Sequence, residues 1–351
     1  MPPNDTVTIE PAVEAPEKRP ALTPKRILWP VLLSLSALAA VAIFTFDYGD
    51  YVEAVGSANL WLLSIAVGSV ALRVILGGWR FRYISGGRLS LGQGIRGQLS
   101  WDFFSNVTPS AIGGGPLAIV YISKDARVRA GDVTAWTIFS MVLDQLWYII
   151  IVPLVLIASL YMEVIPASLG RVGYGVFLGY LSALMVWVVV FAYATLYNPA
   201  LLRRMTGWLF NFKPLRRFRE AVLREMTQLE RRAFILRSQP LRFYVGGLLL
   251  TVATWSMRYV LILFVVWGIY APADKLLVFM RGAALTLASL GMPTPGGSGG
   301  IEGLYVLFFG GLIPTAAVAP TLLVWRLLGY YAFIAVGLVL TTRYLGRRLT
   351  S

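Results

Sequence analysis

The sequence predicts an all-α polytopic membrane protein, with about six transmembrane helices and two re-entrant hairpins broken by Gly and Pro. Hydrophobic residues make up 57% of the 351-residue chain, whereas charged residues make up only 14%. Soluble domains carry roughly 25% charged residues. Several apolar runs also reach about 20 residues, the length that crosses ~30 Å of hydrocarbon. Together these observations exclude a soluble globular enzyme, a disordered chain and a coiled coil.

The charged residues around the apolar runs predict how the chain crosses the membrane. Residues 1–26 are polar and rich in proline, which is typical of a disordered tail, and basic residues at their end place this tail in the cytoplasm. The loop after the first span carries Asp47, Asp50 and Glu53 and no basic residue, which favours the outer side. Both termini are therefore expected inside. The predicted spans are residues 27–46, 58–76, 133–160, 172–196, 243–270 and 320–340.

The segment 202–242 carries much of the positive charge. It holds eleven Lys or Arg residues and three Glu, within a total net charge of +14. Its apolar residues recur at helical spacing, which predicts an amphipathic cytoplasmic helix lying on anionic lipid. Because the charges flank apolar runs, nucleic acid is a poor alternative partner. The loop after the second predicted span is also basic and contains Arg80 and Arg82.

Two further apolar segments, residues 98–122 and 276–312, are interrupted by Gly and Pro. Irregular backbone is tolerated at membrane depth only where protein or water covers it. We interpret each segment as a hairpin of two half-helices, the first entering from the cytoplasm and the second from outside. Residues 58–158 and 243–341 then form an inverted repeat, linked by segment 202–242 inside one domain of residues 27–345. Paired broken segments of this kind indicate a transporter site near mid-membrane.

Charged residues inside spans are functional candidates because each costs at least a few kcal/mol there. Asp144, Glu302 and Arg326 have apolar neighbours and are the strongest candidates. A structural Glu302–Arg326 or Asp144–Arg326 ion pair is the alternative. Arg73 is expected near the cytoplasmic end of its span, from which it can extend toward the membrane surface, and Arg281 near an outer end. Arg258 is expected to have a structural role with a carboxylate or backbone carbonyls. Asp102 also lies within the first broken segment.

The glycine-rich breaks allow close approach of chains and expose N–H groups that favour an anion. Hydroxyl groups beside them add further donors, and arginine suits phosphate because its planar fork gives two parallel hydrogen bonds. Cysteine and histidine are absent, which excludes thiol and imidazole chemistry and their metal sites; we expect no cofactor. The predicted lipid-binding residues are Arg80, Arg82, Thr108, Gly113, Gly114, Asp144, Thr294, Gly296, Gly297, Ser298, Glu302 and Arg326.

Three short tracts, at residues 79–82, 108–116 and 293–302, resemble parts of the membrane region of the lysylphosphatidylglycerol synthase/flippase family. Residues 108–116 (TPSAIGGGP) are similar to that family's "TP…GG.P…I.YL" element, and residues 293–302 (PTPGGSGGIE) to its "P.PGGSGG.E" signature. Residues 79–82 (WRFR) resemble its "RWR"-type turn. The resemblance covers about residues 30–345.

The resemblance implies a stand-alone flippase-like domain, since no room remains after the last span for the family's aminoacyl transferase domain. It implies movement of an anionic phospholipid or a related lipid across the inner membrane. A membrane-bound transferase acting on lipid-linked substrates is a second interpretation, and would require a carboxylate cluster; Asp125 and Asp132 lie among basic residues instead. A noncatalytic scaffold with a closed polar interior is a third. Oligomeric state is left open, a homo-oligomer included.

Overall fold

Helices account for the regular structure throughout the part of the chain that the computed structural model describes, which is residues 24–45, 56, 58–108, 114–196, 198, 201, 204 and 239–349. Eleven α-helices lie in these ranges. They are α1 Pro24–Thr45, α2 Leu60–Ile84, α3 Leu91–Val107, α4 Gly114–Asp125, α5 Ala130–Tyr161, α6 Gly170–Leu196, α7 Leu241–Ile269, α8 Lys275–Ser289, α9 Gly300–Phe309, α10 Thr315–Arg326 and α11 Ala332–Leu349.

The helices confirm the prediction of an all-α polytopic membrane protein. Five of them, counting α10 and α11 as one continuous rod, are long and apolar enough to cross a membrane within the described residues. The apolar part of α1, Leu28–Phe44, is shorter. Each of the six predicted spans therefore coincides with a helix, and α1 is the one that falls short by length.

The prediction that the second span ends near Leu76 is wrong. Helix α2 continues to Ile84, so Arg80 and Arg82 lie in its last turns and not in a basic loop. Gly78 permits close packing of α2 on α3: a Cβ at this position would lie 2.6 Å from the backbone nitrogen of Ile95 in α3. Small residues at a helix interface let two backbones approach.

Both interrupted segments fold as helix–break–helix hairpins. Helices α3 and α4 pack against each other on either side of the first break, and α8 and α9 on either side of the second. A short 3₁₀ turn, Pro295–Gly297, lies inside the second break. We call the ends of these two hairpins the first tip (residues 104–108 and 114) and the second tip (residues 294–299).

The last span is a helix with an internal irregularity. Five residues, Leu327–Tyr331, form a π-helical segment between α10 and α11. Such segments are frequent at functional sites because the extra residue redirects side chains. Here the segment directly follows Arg326.

The element contacts of residues 58–158 are repeated in residues 243–341. Helix α2 packs on α3 and α4 on α5, as α7 packs on α8 and α9 on α10. Helix α3 contacts α11, and α8 contacts α5, so each hairpin also touches the closing span of the other half. The interface between α2 and α7 joins the halves.

Four predictions lie outside the described residues. They concern the tail before residue 24, the acidic loop with Asp47, Asp50 and Glu53, the basic segment for nearly all of its length, and Gly113 at the first break.

Candidate functional site

The two hairpin tips meet in the interior of the bundle. The Pro295–Gly297 turn packs against α3. A Cβ at Gly296 would lie 3.2 Å from the carbonyl oxygen of Asn106 and would clash with the Tyr330 ring, and Gly296 has φ +58°. Both the space and the left-handed backbone therefore require glycine here.

The Glu302 carboxylate lies beside the second tip and is fully buried. It receives a hydrogen bond from the Gly299 N–H at 2.7 Å, an ion pair from Arg326 Nη2 at 2.8 Å, and a short hydrogen bond from the Ser34 hydroxyl. The glycine-rich break predicts an external anion at this helix N-terminus. The protein's own carboxylate occupies that position, where the helix dipole stabilises negative charge.

Arg326 is held from three directions and is also buried. Its Nη2 atom lies 3.0 Å from Ser34 Oγ, and its guanidinium lies over the Tyr330 ring at 4.1 Å from the centroid. The Tyr331 hydroxyl donates to Ser34 Oγ at 2.8 Å. Helices α1, α9 and α10 and the π segment thus meet at one polar cluster, which we call the Glu302–Arg326 cluster.

The polar side chains of the second tip differ in their hydrogen bonding. Ser298 donates to the Pro295 carbonyl at 2.9 Å and lies 3.0 Å from the Tyr330 hydroxyl. Gly297 has φ +69°. Thr294 Oγ1 is buried, and no hydrogen-bond partner lies near it in the described residues.

The first tip is built by close packing. The Thr108 hydroxyl donates to the Phe104 carbonyl at 2.6 Å and ends α3. A Cβ at Gly114 would lie 2.5 Å from the Ser105 backbone nitrogen, so only glycine lets α4 start this close to α3. Both residues have structural roles in the closed tip.

A second buried ion pair joins α2 to α5. Arg80 Nη1 lies 2.6 Å from Asp144 Oδ1, which also accepts from the Trp255 indole at 2.8 Å. Arg80 is 7% exposed, whereas Arg82 on the same turn is exposed to the surroundings. The alternative pairing of Asp144 with Arg326 is wrong, because each has a different partner.

A third cluster, centred on Asp102, joins α2, α3 and α7. Arg73 contacts both carboxylate oxygens, at 3.3 and 3.1 Å, and Gln98 donates to Oδ2 at 3.1 Å. Arg258 approaches Oδ1 at 3.6 Å, and its guanidinium lies over the Trp255 ring at 4.7 Å. A carboxylate contact for Arg258 was expected.

Two arginines that the sequence places near the ends of apolar segments are buried in the structure. Arg73 is 6% exposed and Arg281 is 4% exposed. Arg73 lies near the middle of α2 because that helix is longer than predicted. Arg281 donates to the carbonyl of Phe308 at 2.6 Å and to that of Glu163 at 2.8 Å, where α9 ends.

The sequence missed the side chains that complete these clusters. Ser34, Trp255, Gln98 and Tyr331 are ordinary residues of apolar helices, and no spacing or motif distinguishes them. The structure brings together Gly296, Glu302 and Arg326 as expected. That Asp144 faces the same lipid-binding space as Glu302 and Arg326 stays a prediction.

The described residues contain no group of three or more His, Cys, Asp or Glu side chains placed to hold a metal ion. Asp125 and Asp132, the acids considered for a transferase site, each bind an arginine instead. Arg96 lies 2.9 Å from Asp125, and Arg88 lies 2.9 Å from Asp132.

Comparison of the sequence with known proteins finds a family and a relative. A sequence model described as the lysylphosphatidylglycerol synthase TM region matches residues 27–337. A UPF0104 membrane protein of Archaeoglobus fulgidus is 21% identical over 319 residues, which cover 88% of this chain and 94% of that protein.

Proposed function

Because the chain belongs to the family of the lysylphosphatidylglycerol synthase transmembrane region, we propose that it is a flippase that moves a phospholipid or related lipid between leaflets of the inner membrane. The headgroup crosses through the polar interior between the two hairpin tips, while the acyl chains remain in the bilayer. This is transport without a covalent step.

One observation carries the proposal: charged side chains lie halfway along the spanning helices. Arg73, Asp144 and Arg258 are near the midpoints of α2, α5 and α7, and Arg326 is near the middle of the α10–α11 rod. Charge at this depth is costly in hydrocarbon and marks substrate or ion pathways. Arg326 also donates to the Gly296 carbonyl of the second tip at 3.4 Å.

The Glu302–Arg326 cluster is closed in this conformation, because the two charged groups contact each other and Ser34 is hydrogen-bonded to both. A lipid phosphate takes the place of Glu302 on Arg326 when α1 withdraws Ser34, and Glu302 is then free to receive a cationic group or a proton. Arg suits this exchange because its fork binds carboxylate and phosphate in the same geometry.

The repeated contacts of the two halves support an inverted arrangement, with the first hairpin entering from the cytoplasm and the second from outside. Both termini are then cytoplasmic, and the two sides of the membrane are approached by equivalent hairpins. Rocking of two such repeats around a fixed site gives alternating access.

A fluorescent-lipid scrambling assay in proteoliposomes tests the proposal. Wild-type protein is expected to expose inner-leaflet phosphatidylglycerol carrying a fluorophore to a membrane-impermeant reductant. Glu302→Gln and Arg326→Ala are expected to slow this exposure about tenfold or more, the effect of removing one charged hydrogen bond. Gly303→Ala, on the exposed face of α9, is the matched control.

Normal transport by both variants would remove the cluster from the mechanism. No transport by wild-type protein with any headgroup tried would remove the proposal itself.

A noncatalytic scaffold of a cell-envelope complex is the second candidate, favoured by the burial of Glu302 and Arg326 under side chains. It predicts that the cluster never opens. A Ser34→Cys variant whose thiol stays unreactive to small maleimides in bilayers, with and without lipid substrate, would favour the scaffold.

A further inference from the structure

Arg258 carries a positive charge that the neighbouring carboxylates leave unbalanced. Two guanidinium groups, those of Arg73 and Arg258, face the single carboxylate of Asp102. The nearby Asp144 is already paired with Arg80. These five side chains therefore contain three cations and two anions.

Hydrogen bonding to Asp102 favours Arg73 over Arg258. Arg73 forms a two-pronged contact with both oxygens, and Gln98 occupies Oδ2 as well. Arg258 Nη2 stops 3.6 Å from Oδ1, beyond hydrogen-bond distance. Within the described part of the chain, the guanidinium N–H groups of Arg258 donate a hydrogen bond to no acceptor.

Arg258 is also the accessible member of the cluster. Its side chain is 40% exposed, against 7% for Arg73 and 6% for Asp102. It lies near the middle of α7, where a bare guanidinium in hydrocarbon costs at least a few kcal/mol. An anion or a water-filled pathway is needed to offset that cost.

Trp255 supports one face of the Arg258 guanidinium. The indole is fixed by its hydrogen bond to Asp144 and by edge-on packing against Tyr148, with ring centroids 5.4 Å apart. Arg258 lies over this ring at 4.7 Å. One face of the guanidinium is covered, and its edge remains open to a second two-pronged acceptor. Phosphate oxygens match that edge.

We propose that the Arg258 edge, supported by Trp255 and Asp102, is a binding site for the phosphate group of a membrane lipid. This inference rests on the proposed function and names a residue for its substrate. Arg258 contacts the phosphate directly, whereas Asp102 and Trp255 are positioning residues. The site lies apart from the buried Glu302–Arg326 pair and is open in the present conformation.

Native mass spectrometry of the detergent-solubilised protein tests the site by titration with phosphatidylglycerol. Arg258→Gln is expected to weaken binding about tenfold or more, since it removes a charged two-pronged contact. Arg258→Lys is expected to bind between wild type and Arg258→Gln, because an ammonium keeps the charge and loses the fork. Diacylglycerol, which lacks phosphate, is expected to bind all variants equally.

Arg242→Gln is the matched control. It removes the same charge from the exposed first turn of the same helix and is expected to bind phosphatidylglycerol like wild type. Equal loss in Arg242→Gln and Arg258→Gln would overturn the site, because net charge alone would then explain binding. If Arg258→Gln does not fold, wild-type affinity in Arg258→Lys would overturn it.

Inorganic phosphate distinguishes the two sources of the anion. Binding of inorganic phosphate that depends on Arg258, without Arg258-dependent binding of phosphatidylglycerol, would overturn the lipid assignment. The scrambling assay separates this inference from the proposed function. If lipid binding depends on Arg258 but wild-type protein does not scramble lipid, only the transport proposal is contradicted. If wild-type protein scrambles lipid but lipid binding does not depend on Arg258, only the Arg258 site is contradicted.

Discussion

Buried charges in this protein are stabilised by groups from other helices, so each pair is both an electrostatic and a packing contact. Asp102 accepts from Arg73 and Gln98, and Glu302 from Arg326, Ser34 and the Gly299 N–H. Removing one member of such a pair leaves the other charge buried without a counterion. The loss is then far larger than for an exposed pair of the same length.

Asp102→Asn is expected to lower the free energy of unfolding by roughly 3–5 kcal/mol, because Arg73 stays buried without its counter-charge. Asp132→Asn breaks the exposed Arg88–Asp132 pair, at 54% and 35% side-chain exposure, and is expected to cost about 0–1 kcal/mol. Denaturant titration of both variants in mixed micelles measures the difference. Similar losses would contradict the structural interpretation of the Asp102 cluster.

Gly296→Ala is expected to destabilise the second tip by roughly 1–3 kcal/mol, since alanine must adopt φ +58° and its Cβ collides with Tyr330. Gly303→Ala has open space around its Cβ and lies inside α9, so it is expected to be neutral or stabilising by about 0.5–1 kcal/mol. Thermal unfolding followed by far-UV circular dichroism compares them. A neutral Gly296→Ala would show that the tip is loosely packed.

At the scale of elements, α1 acts as a cover over the Glu302–Arg326 cluster. It packs against α9, α10 and α3, and its exposed residues include Trp29, Leu32 and Leu35. Ser34 and Leu38 are buried on the face toward the bundle. The Ser34 hydroxyl connects α1 to both charges and to the π segment.

Ser34→Ala is expected to speed hydrogen exchange of α1 amides several-fold, because it removes hydrogen bonds to charged groups worth about 1.5–3 kcal/mol each. Exchange in α2 and α7 is expected to stay unchanged. Ser36→Ala, on the exposed side of α1, is the matched control and is expected to resemble wild type. Hydrogen–deuterium exchange in nanodiscs provides the measurement. Equal exchange rates of the α1 amides in the two variants would show that the Ser34 hydrogen bonds do not hold α1 against the bundle.

At the scale of the whole molecule, two sets of four helical elements repeat the same contacts around the α2–α7 interface. If the repeat is inverted across the membrane, the bases of the two hairpins lie on opposite sides. The absence of cysteine from the chain makes single-cysteine labelling free of background.

Gly92→Cys at the base of the first hairpin and Ala271→Cys before the second are both exposed positions. In right-side-out membrane vesicles, a membrane-impermeant maleimide is expected to label Ala271→Cys directly and Gly92→Cys only after permeabilisation, because an inverted repeat puts the two loops on opposite sides. Labelling of both from the same side would rule out the inverted arrangement and the transport route built on it.

Much of the fold follows from the sequence because hydropathy and breaking residues act locally. The apolar runs predict all six long helical segments, and Gly with Pro predicts both hairpins. One local signal misled: the arginines after the second apolar run indicated a loop, whereas α2 continues through Arg80 and Arg82. In the structure Gly77 and Gly78 allow α2 and α3 to pack closely, a property that only the partner helix reveals.

The sequence alone determined that this chain is a helical membrane protein with charges buried in its spans and two glycine-rich breaks. Those features depend on composition and on neighbours along the chain. The tertiary structure decided which charges meet: Arg73 with Asp102, 29 positions apart, and Arg80 with Asp144, 64 positions apart. Pairing depends on distance in space, which helix packing sets. The open edge of the Arg258 guanidinium and the hydrogen bonds of Ser34 to both charges of the Glu302–Arg326 cluster therefore appear only in the folded bundle.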